Sequence, residues 1–205
     1  MKNSEKRRIS DKKKNLIEWG VILGVIAILY ITGLHTQVIG TMQQALLWTG
    51  LMDANLSEVI KDGTFLSDQD YHFIMATADD DTLTLNEIRG SVIFVNVWAS
   101  WCPPCIAEMP TIETLYNELK DHEKIRFILL SMDEEQDRAV NFMENREFKT
   151  PYLFPKSQIP TVLRGKVLPT TYIISKDGQV IYEKRGLADY SSPEFRDWLI
   201  ELSEE

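Results

Sequence analysis

The sequence predicts an α/β fold, a mixed central sheet flanked by helices and preceded by one apolar N-terminal helix long enough to span a membrane. Three observations carry this reading. Val92–Trp98 and Ile125–Met132 are near-continuous apolar runs, the pattern of parallel strands covered on both faces. Each is followed by a segment of helical character. Further on, residues 170–175 and 179–184 read as strands joined by Lys176-Asp177-Gly178, whose Asp-Gly pair marks a hairpin. With a closing helix the order is β-α-β-α-β-β-α, which describes a mixed sheet with helices on both faces.

The chain opens on charge. Residues 1–52 carry seven Lys and Arg against three acids, a net of +4, whereas the remaining 15 basic and 28 acidic residues give −13 of the total −9. A body this acidic offers no field for nucleic acid. Residues 1–14 form a basic tail, and residues 15–40 form the expected anchor. Its apolar part, Trp19–Gly40, is 22 residues without Asp, Glu, Lys or Arg. As a helix it measures about 33 Å against a hydrocarbon core of about 30 Å. The basic tail places the N-terminus in the cytoplasm and the body beyond the inner membrane, periplasmic or extracytoplasmic. A cleaved signal peptide begins the same way, but the stretch exceeds a usual signal core and no small-x-small pattern follows Leu34.

Residues 41–70 read as an interfacial helix followed by a linker. Met42, Ala45, Leu46, Leu47, Trp48, Leu51 and Met52 make the first part apolar and uncharged, which suits a helix on the outer leaflet with Trp48 as anchor, or equally a helix packed on the domain. Asp53–Asp70 is more polar and holds a turn signal, Lys61-Asp62-Gly63. The compact domain, residues 71–205, begins with an edge-strand-like Tyr71–Ile74. The acidic turn Asp79–Asp81 follows, and Leu83–Ile88 then leads through Gly90 to the first long strand. Helices are expected from the residues after Trp101 to about Lys120, over Glu135–Glu147, and over Pro193–Leu202, where Phe195, Trp198, Leu199 and Leu202 recur at helical spacing.

The chemistry gathers where Val92–Trp98 hands over to a helix, at Trp101-Cys102-Pro103-Pro104-Cys105, which holds the only two cysteines of the chain. Pro103 and Pro104 suit a first helical turn, where an absent N–H is not missed. Cys102 then sits at the helix N-terminus, where unpaired N–H groups and the macrodipole favour a thiolate and lower the thiol pKa from about 8.5. Zinc usually needs four Cys or His ligands, and His35, His72 and His122 lie far from the pair in sequence. A purely structural disulfide closing so short a loop constrains little of the unfolded chain. The residues point to a redox dithiol with no metal and no organic cofactor.

The ordered set Phe94–Cys105, Glu108-Met109-Pro110, Leu168-Pro169-Thr170-Thr171 and Lys176-Asp177-Gly178 resembles the thioredoxin superfamily, and within it the membrane-anchored TlpA/ResA/DsbE-like thiol-disulfide oxidoreductases. The resemblance covers Phe73–Leu202 and implies a thioredoxin-like sheet. It implies Cys102 as the exposed attacking cysteine and Cys105 as the buried resolving one. Pro169 matches the family's cis-proline, holding the Leu168 backbone open to an extended substrate, with Trp101, Pro103 and Pro104 completing the surface that substrate meets. Trp101 would shield the sulfurs and Trp98 pack beneath, the alternative being core aromatics. Pro110 resembles the proline that bends the active-site helix. Asn96 stands where thioredoxin keeps a buried Asp, a departure that leaves proton transfer to Glu108, where the ResA-like branch carries a Glu. Being i+3 from Cys105, Glu108 lies one turn away; the alternative is a solvated helix-face residue.

The implied reaction is dithiol-disulfide exchange on protein thiols and disulfides, with electrons from a membrane thiol-transfer partner and clients such as the haem-site cysteines of apocytochrome c. An oxidase or isomerase on the same fold, and a tethered client-binding module gated by its dithiol, are the alternatives. Nothing in the sequence suggests a dedicated peroxide pocket.

Overall fold

The computed structural model describes residues 2–32, 34–47, 54, 56–60 and 63–205. The chain divides into two units, Met1–Val38 and Ile39–Glu205.

Helix α1, Lys2–Ile31, lies in the first unit and runs from the basic tail into the apolar stretch, while α2, Leu34–Leu47, begins in the first unit and ends in the second. The stretch expected to form one span is therefore shared between two helices. The apolar part within α1, Trp19–Ile31, measures about 20 Å at about 1.5 Å per residue. Among the described residues no helix is long and apolar enough to cross a membrane. Trp19, Val21, Ile22, Leu23, Val25, Ile26 and Ile28 are nonetheless all exposed, which spreads apolar surface around the whole circumference of α1.

The second unit is built on a seven-stranded sheet of order β2-β1-β5-β4-β3-β6-β7. The strands are β1 Ile74–Ala76, β2 Thr82–Thr84, β3 Val92–Trp98, β4 Ile125–Ser131, β5 Tyr152–Pro155, β6 Thr170–Ile174 and β7 Val180–Arg185. As the apolar runs require, β3 and β4 are central, parallel and paired from Val92 opposite Ile125 to Trp98 opposite Ser131. Their crossover is α4, Pro103–Leu119, and α5, Gln136–Asn145, connects β4 to β5. The Asp-Gly hairpin forms, β6 pairing antiparallel with β3 on one side and β7 on the other. Helix α6, Pro193–Glu204, closes the chain, capped by Ser192 Oγ accepting from Phe195 N–H at 3.3 Å.

Every residue of β3 is buried, and its side chains alternate between two cores. Val92, Phe94 and Trp98 join the buried residues of α4, α5 and α6. Ile93, Val95 and Val97 join Tyr71, Phe73, Leu85, Leu163 and Tyr172. Asn96 shares the parity of the first set, which aims it at the helical side.

Two departures from the expected elements appear. Tyr71 ends a short helix, α3 Asp68–Tyr71, and only Ile74 of the expected edge segment is strand. The reason is a capping box, Ser67 Oγ accepting from Asp70 N–H at 3.3 Å while the Asp70 carboxylate accepts from Ser67 N–H at 2.8 Å. Strand β5 was not foreseen, because only Tyr-Leu-Phe stands between Pro151 and Pro155, too short a run to read as a strand.

The polar stretch before α3 is tied to the edge of β7 and to the turn that precedes it. Ile60 N–H donates to Ile181 O at 2.7 Å, Val180 N–H to Thr64 O at 2.9 Å and Leu66 N–H to Gly178 O at 2.8 Å. The strap blunts an edge that would otherwise present unpaired backbone. Gly63 is required there by close approach, since a Cβ would stand less than 2 Å from Val180 O. Trp48, Leu51, Met52, Lys61 and Asp62 lie outside the described residues.

Candidate active site

Cys102 is the N-cap of α4, with Pro103 and Pro104 filling the first helical positions. Those prolines donate nothing, so the first free N–H of the helix belongs to Cys105, and it points at Cys102 Sγ, 3.3 Å away. The two cysteines form a disulfide with Cα atoms 5.3 Å apart. In the reduced protein the same N–H would be placed to donate to a Cys102 thiolate.

The loop that leads into α4 is held from the neighbouring strand. Ser100 donates from N to Asp133 Oδ2 at 2.9 Å and from Oγ to Asp133 Oδ1 at 2.6 Å, while Ser131 Oγ donates to Asp133 Oδ2 at 2.9 Å. Met132 N–H completes the clamp on Trp98 O at 2.8 Å. Sequence reasoning missed Asp133; the available signal was its place at the carboxyl end of a parallel strand, where sites of open α/β sheets gather.

The Leu168–Pro169 peptide is cis. Thr170, the next residue, pairs with Val97 on β3, which brings Leu168 and Pro169 to the end of the sheet from which Cys102 departs. Trp101 is 52% exposed, so it is no core aromatic; it borders a cleft of about 260 Å³ with Met132, Asp133, Glu134, Glu135 and Arg138. Trp98 is fully buried and packs on Phe142, ring centroids 5.4 Å apart.

Cys102 departs from expectation. Implied to be exposed, it is only 4% accessible. Its sulfur is bonded to the fully buried Cys105, and Gly40 packs against Pro103 and Ile106 in the first turn of α4.

Glu108 is fully buried, one turn from the equally buried Cys105, so the solvated-face alternative does not describe it. Oε1 accepts from Asn96 Nδ2 at 2.8 Å, and Oε2 accepts from Ala188 N–H at 3.3 Å. Burial pushes its pKa from 4.5 up to about 8, against the opposing pull of those two hydrogen bonds. Asn96 Nδ2 also donates to Thr171 Oγ1 at 2.8 Å, so strands β3 and β6 and the 188–190 loop jointly fix the carboxyl. The same loop is pinned one turn on, where Tyr190 N–H donates to Thr111 Oγ1 at 3.1 Å. With its pKa lifted to about 8, Glu108 can hold or release a proton one helical turn from Cys105. Asn96 was noted in the sequence only for the carboxylate it lacks; its part in holding Glu108, and those of Thr171 and Ala188, depend on long-range contacts.

A family model, described as the AhpC/TSA family, matches residues 67–183. The chain belongs to that family. Among curated relatives it is 32% identical over 116 residues to the thiol-disulfide oxidoreductase ResA of Bacillus thuringiensis subsp. konkukian, covering 56% of this chain and 66% of that one, just under two thirds. It is 28% identical over 109 residues to the thioredoxin-like protein YneN of Bacillus subtilis, covering 53% and 64%. The fold matches a thiol:disulfide interchange protein, thioredoxin family protein, of Chlorobium tepidum with TM-score 0.54 at 19% identity, over 65% of this chain and 93% of that one. StoA of Bacillus subtilis matches with TM-score 0.52 at 18% identity, over 62% and 94%. The fold is thioredoxin-like.

Proposed function

We propose that this protein is a thiol-disulfide oxidoreductase that reduces protein disulfides through Cys102 and Cys105. The reading is carried by one arrangement: one sulfur on the first free N–H of α4 and, one turn past the other, a fully buried carboxyl whose pKa burial lifts to about 8. The names of the curated relatives agree with it.

In the first step the Cys102 thiolate attacks a client disulfide. An S–S bond forms to Cys102, the client bond breaks, and the departing client thiolate takes a proton. In the second, Cys105 gives its proton to the Glu108 carboxylate and attacks Cys102 Sγ, releasing the other client sulfur as a thiolate. Two electrons pass from the dithiol to the client, and the Cys102–Cys105 disulfide remains. Leu168, Pro169, Trp101 and the Pro103-Pro104 pair would border the client segment. Renewed turnover needs a dithiol donor, for which a membrane thiol-transfer protein is the proposed source, with cytochrome c maturation as the proposed setting.

The basic tail and the apolar surface around α1 support an N-terminal anchor, with residues 1–14 cytoplasmic and the second unit on the far side of the membrane. A reporter active only outside the cytoplasm, fused after Ser203, is expected to work; activity of a cytoplasm-only reporter there contradicts the topology. Reduction of insulin disulfides with dithiothreitol as electron source tests the chemistry. The full chain is expected to accelerate it and Cys102→Ser to abolish the acceleration, whereas no acceleration by the unsubstituted chain overturns the function.

A further inference from the structure

Disulfide exchange needs a third sulfur to approach Cys102 along the line of the bond being broken, yet Cys102 is closed off at 4% accessibility. The first residues of the second unit pack against the turn of α4 that follows it. From Ile39 on, α2 turns Gly40, Gln43, Gln44 and Leu47 inward at i, i+3, i+4 and i+7, with Leu47 1% exposed, while Met42 on the opposite side is 72% exposed.

Gly40 is where this segment meets the dithiol helix. A Cβ at that position would stand 3.0 Å from Ile106 Cγ2 and 3.1 Å from Pro103 O. Pro103 is the neighbour of Cys102, and Ile106 lies one turn along α4, its N–H donating to Cys102 O at 3.0 Å. The helix can lie so close only because residue 40 has no side chain. Closure is imperfect at one point, since Gln43 Oε1 is buried with no hydrogen-bond partner. A buried acceptor left empty opposes the closed arrangement, which suits a contact meant to open. The segment is also tethered, because Ala54 N–H donates to Asp189 O at 2.7 Å and keeps the chain beside the domain when the cover lifts.

We propose that Ile39–Leu47 is a reversible cap seated on the client-docking surface of the dithiol, so that a client must displace this segment of the chain before Cys102 can react. The proposal rests on Cys102 being the attacking sulfur, but its test reads only access to that sulfur and is independent of whether the protein reduces disulfides.

The full chain carrying Cys105→Ser, in detergent, has Cys102 as its single thiol. Its rate of alkylation by iodoacetamide is compared with and without Gly40→Leu or Leu47→Glu, and with Gly24→Leu as control, a site in α1 where a Cβ meets nothing within 4 Å. Gly40→Leu and Leu47→Glu are expected to raise the rate about tenfold, the factor for releasing a cap closed in about nine molecules of ten. The control is expected to match the parent, and equal rates in all four overturn the proposal. A second measurement needs no cap variant. Converting Cys102 of the Cys105→Ser chain to its glutathione mixed disulfide is expected to speed hydrogen exchange at the amides of residues 40–47, and unchanged protection there overturns the cap.

Discussion

Glu108 and Glu113 stand on the same helix five residues apart, and their surroundings drive them in opposite directions. Glu108 is fully buried with two donors, Asn96 Nδ2 and Ala188 N–H, and burial prevails, lifting its pKa to about 8. Glu113 also suffers burial, but it is only partly covered and accepts from Lys149 N–H at 2.9 Å, Thr150 N–H at 3.0 Å, Thr150 Oγ1 at 2.6 Å and Asn117 Nδ2 at 3.1 Å, which together hold its carboxyl below the usual range. The lesson is that donor count and depth, on one helix, separate a carboxyl that keeps a proton from one that keeps a charge. The first lies one helical turn from Cys105, bound to Asn96 and Ala188; the second staples α4 to the segment leading into β5.

Exchange kinetics give the largest expected separation. Glu108→Gln keeps the size of the side chain but cannot carry a proton, and is expected to slow resolution by Cys105 about 100-fold. Glu113→Gln is expected to stay within about twofold of the parent, since it touches no reacting atom. Stopped-flow measurement of mixed-disulfide decay reads both, and equal slowing by the two substitutions breaks the comparison.

Stability comes next, and the order reverses. Glu113→Ala strips four donors of a charged acceptor and is expected to destabilise the fold by about 2 kcal/mol in urea unfolding. Glu108→Gln, which removes an ionisable group from a dry site, is expected to be neutral near pH 5 and stabilising above pH 8. A loss of stability in Glu108→Gln that grows with pH would contradict the raised pKa.

The pH dependence sharpens that point with opposite signs. Between pH 4.5 and about 8 folded Glu108 holds a proton that the unfolded chain has released, so its contribution to stability falls as pH rises across that window. Glu113 behaves conversely: its stabilisation is present above the ordinary pKa of 4.5 and is lost as pH falls through its lowered value. Melting temperatures of the parent and the two Gln variants across about pH 3 to 9 are expected to show the Glu108 difference widening towards alkali and the Glu113 difference narrowing towards acid.

Local features were legible in the sequence, and distant partnerships were not. The central strands, the dithiol at a helix start and the Asp-Gly hairpin each depend on neighbours within a few residues, and each formed where its residues imply. Glu108 was singled out because one helical turn separates it from Cys105, but its partner Ala188 lies 80 residues on, out of reach of any periodicity. Ile60, Thr64 and Leu66 read as part of a linker because apolar residues are sparse around them, and their hydrogen-bond partners on β7 and the turn before it are more than a hundred residues away. Accessibility of Cys102 failed for the same reason: a sulfur at a helix N-terminus is open by local geometry, and only the fold brings Gly40 against Pro103 and Ile106.

The division of labour between the sulfurs is tested most directly by trapping. Exchange is two displacements, and without the Cys105 sulfur the first product persists. Full chain carrying Cys105→Ser is expected to accumulate covalent client adducts on non-reducing gels that dithiothreitol releases, while Cys102→Ser accumulates few. Equal trapping by the two, or stable adducts only through Cys105, would contradict Cys102 as the attacking sulfur.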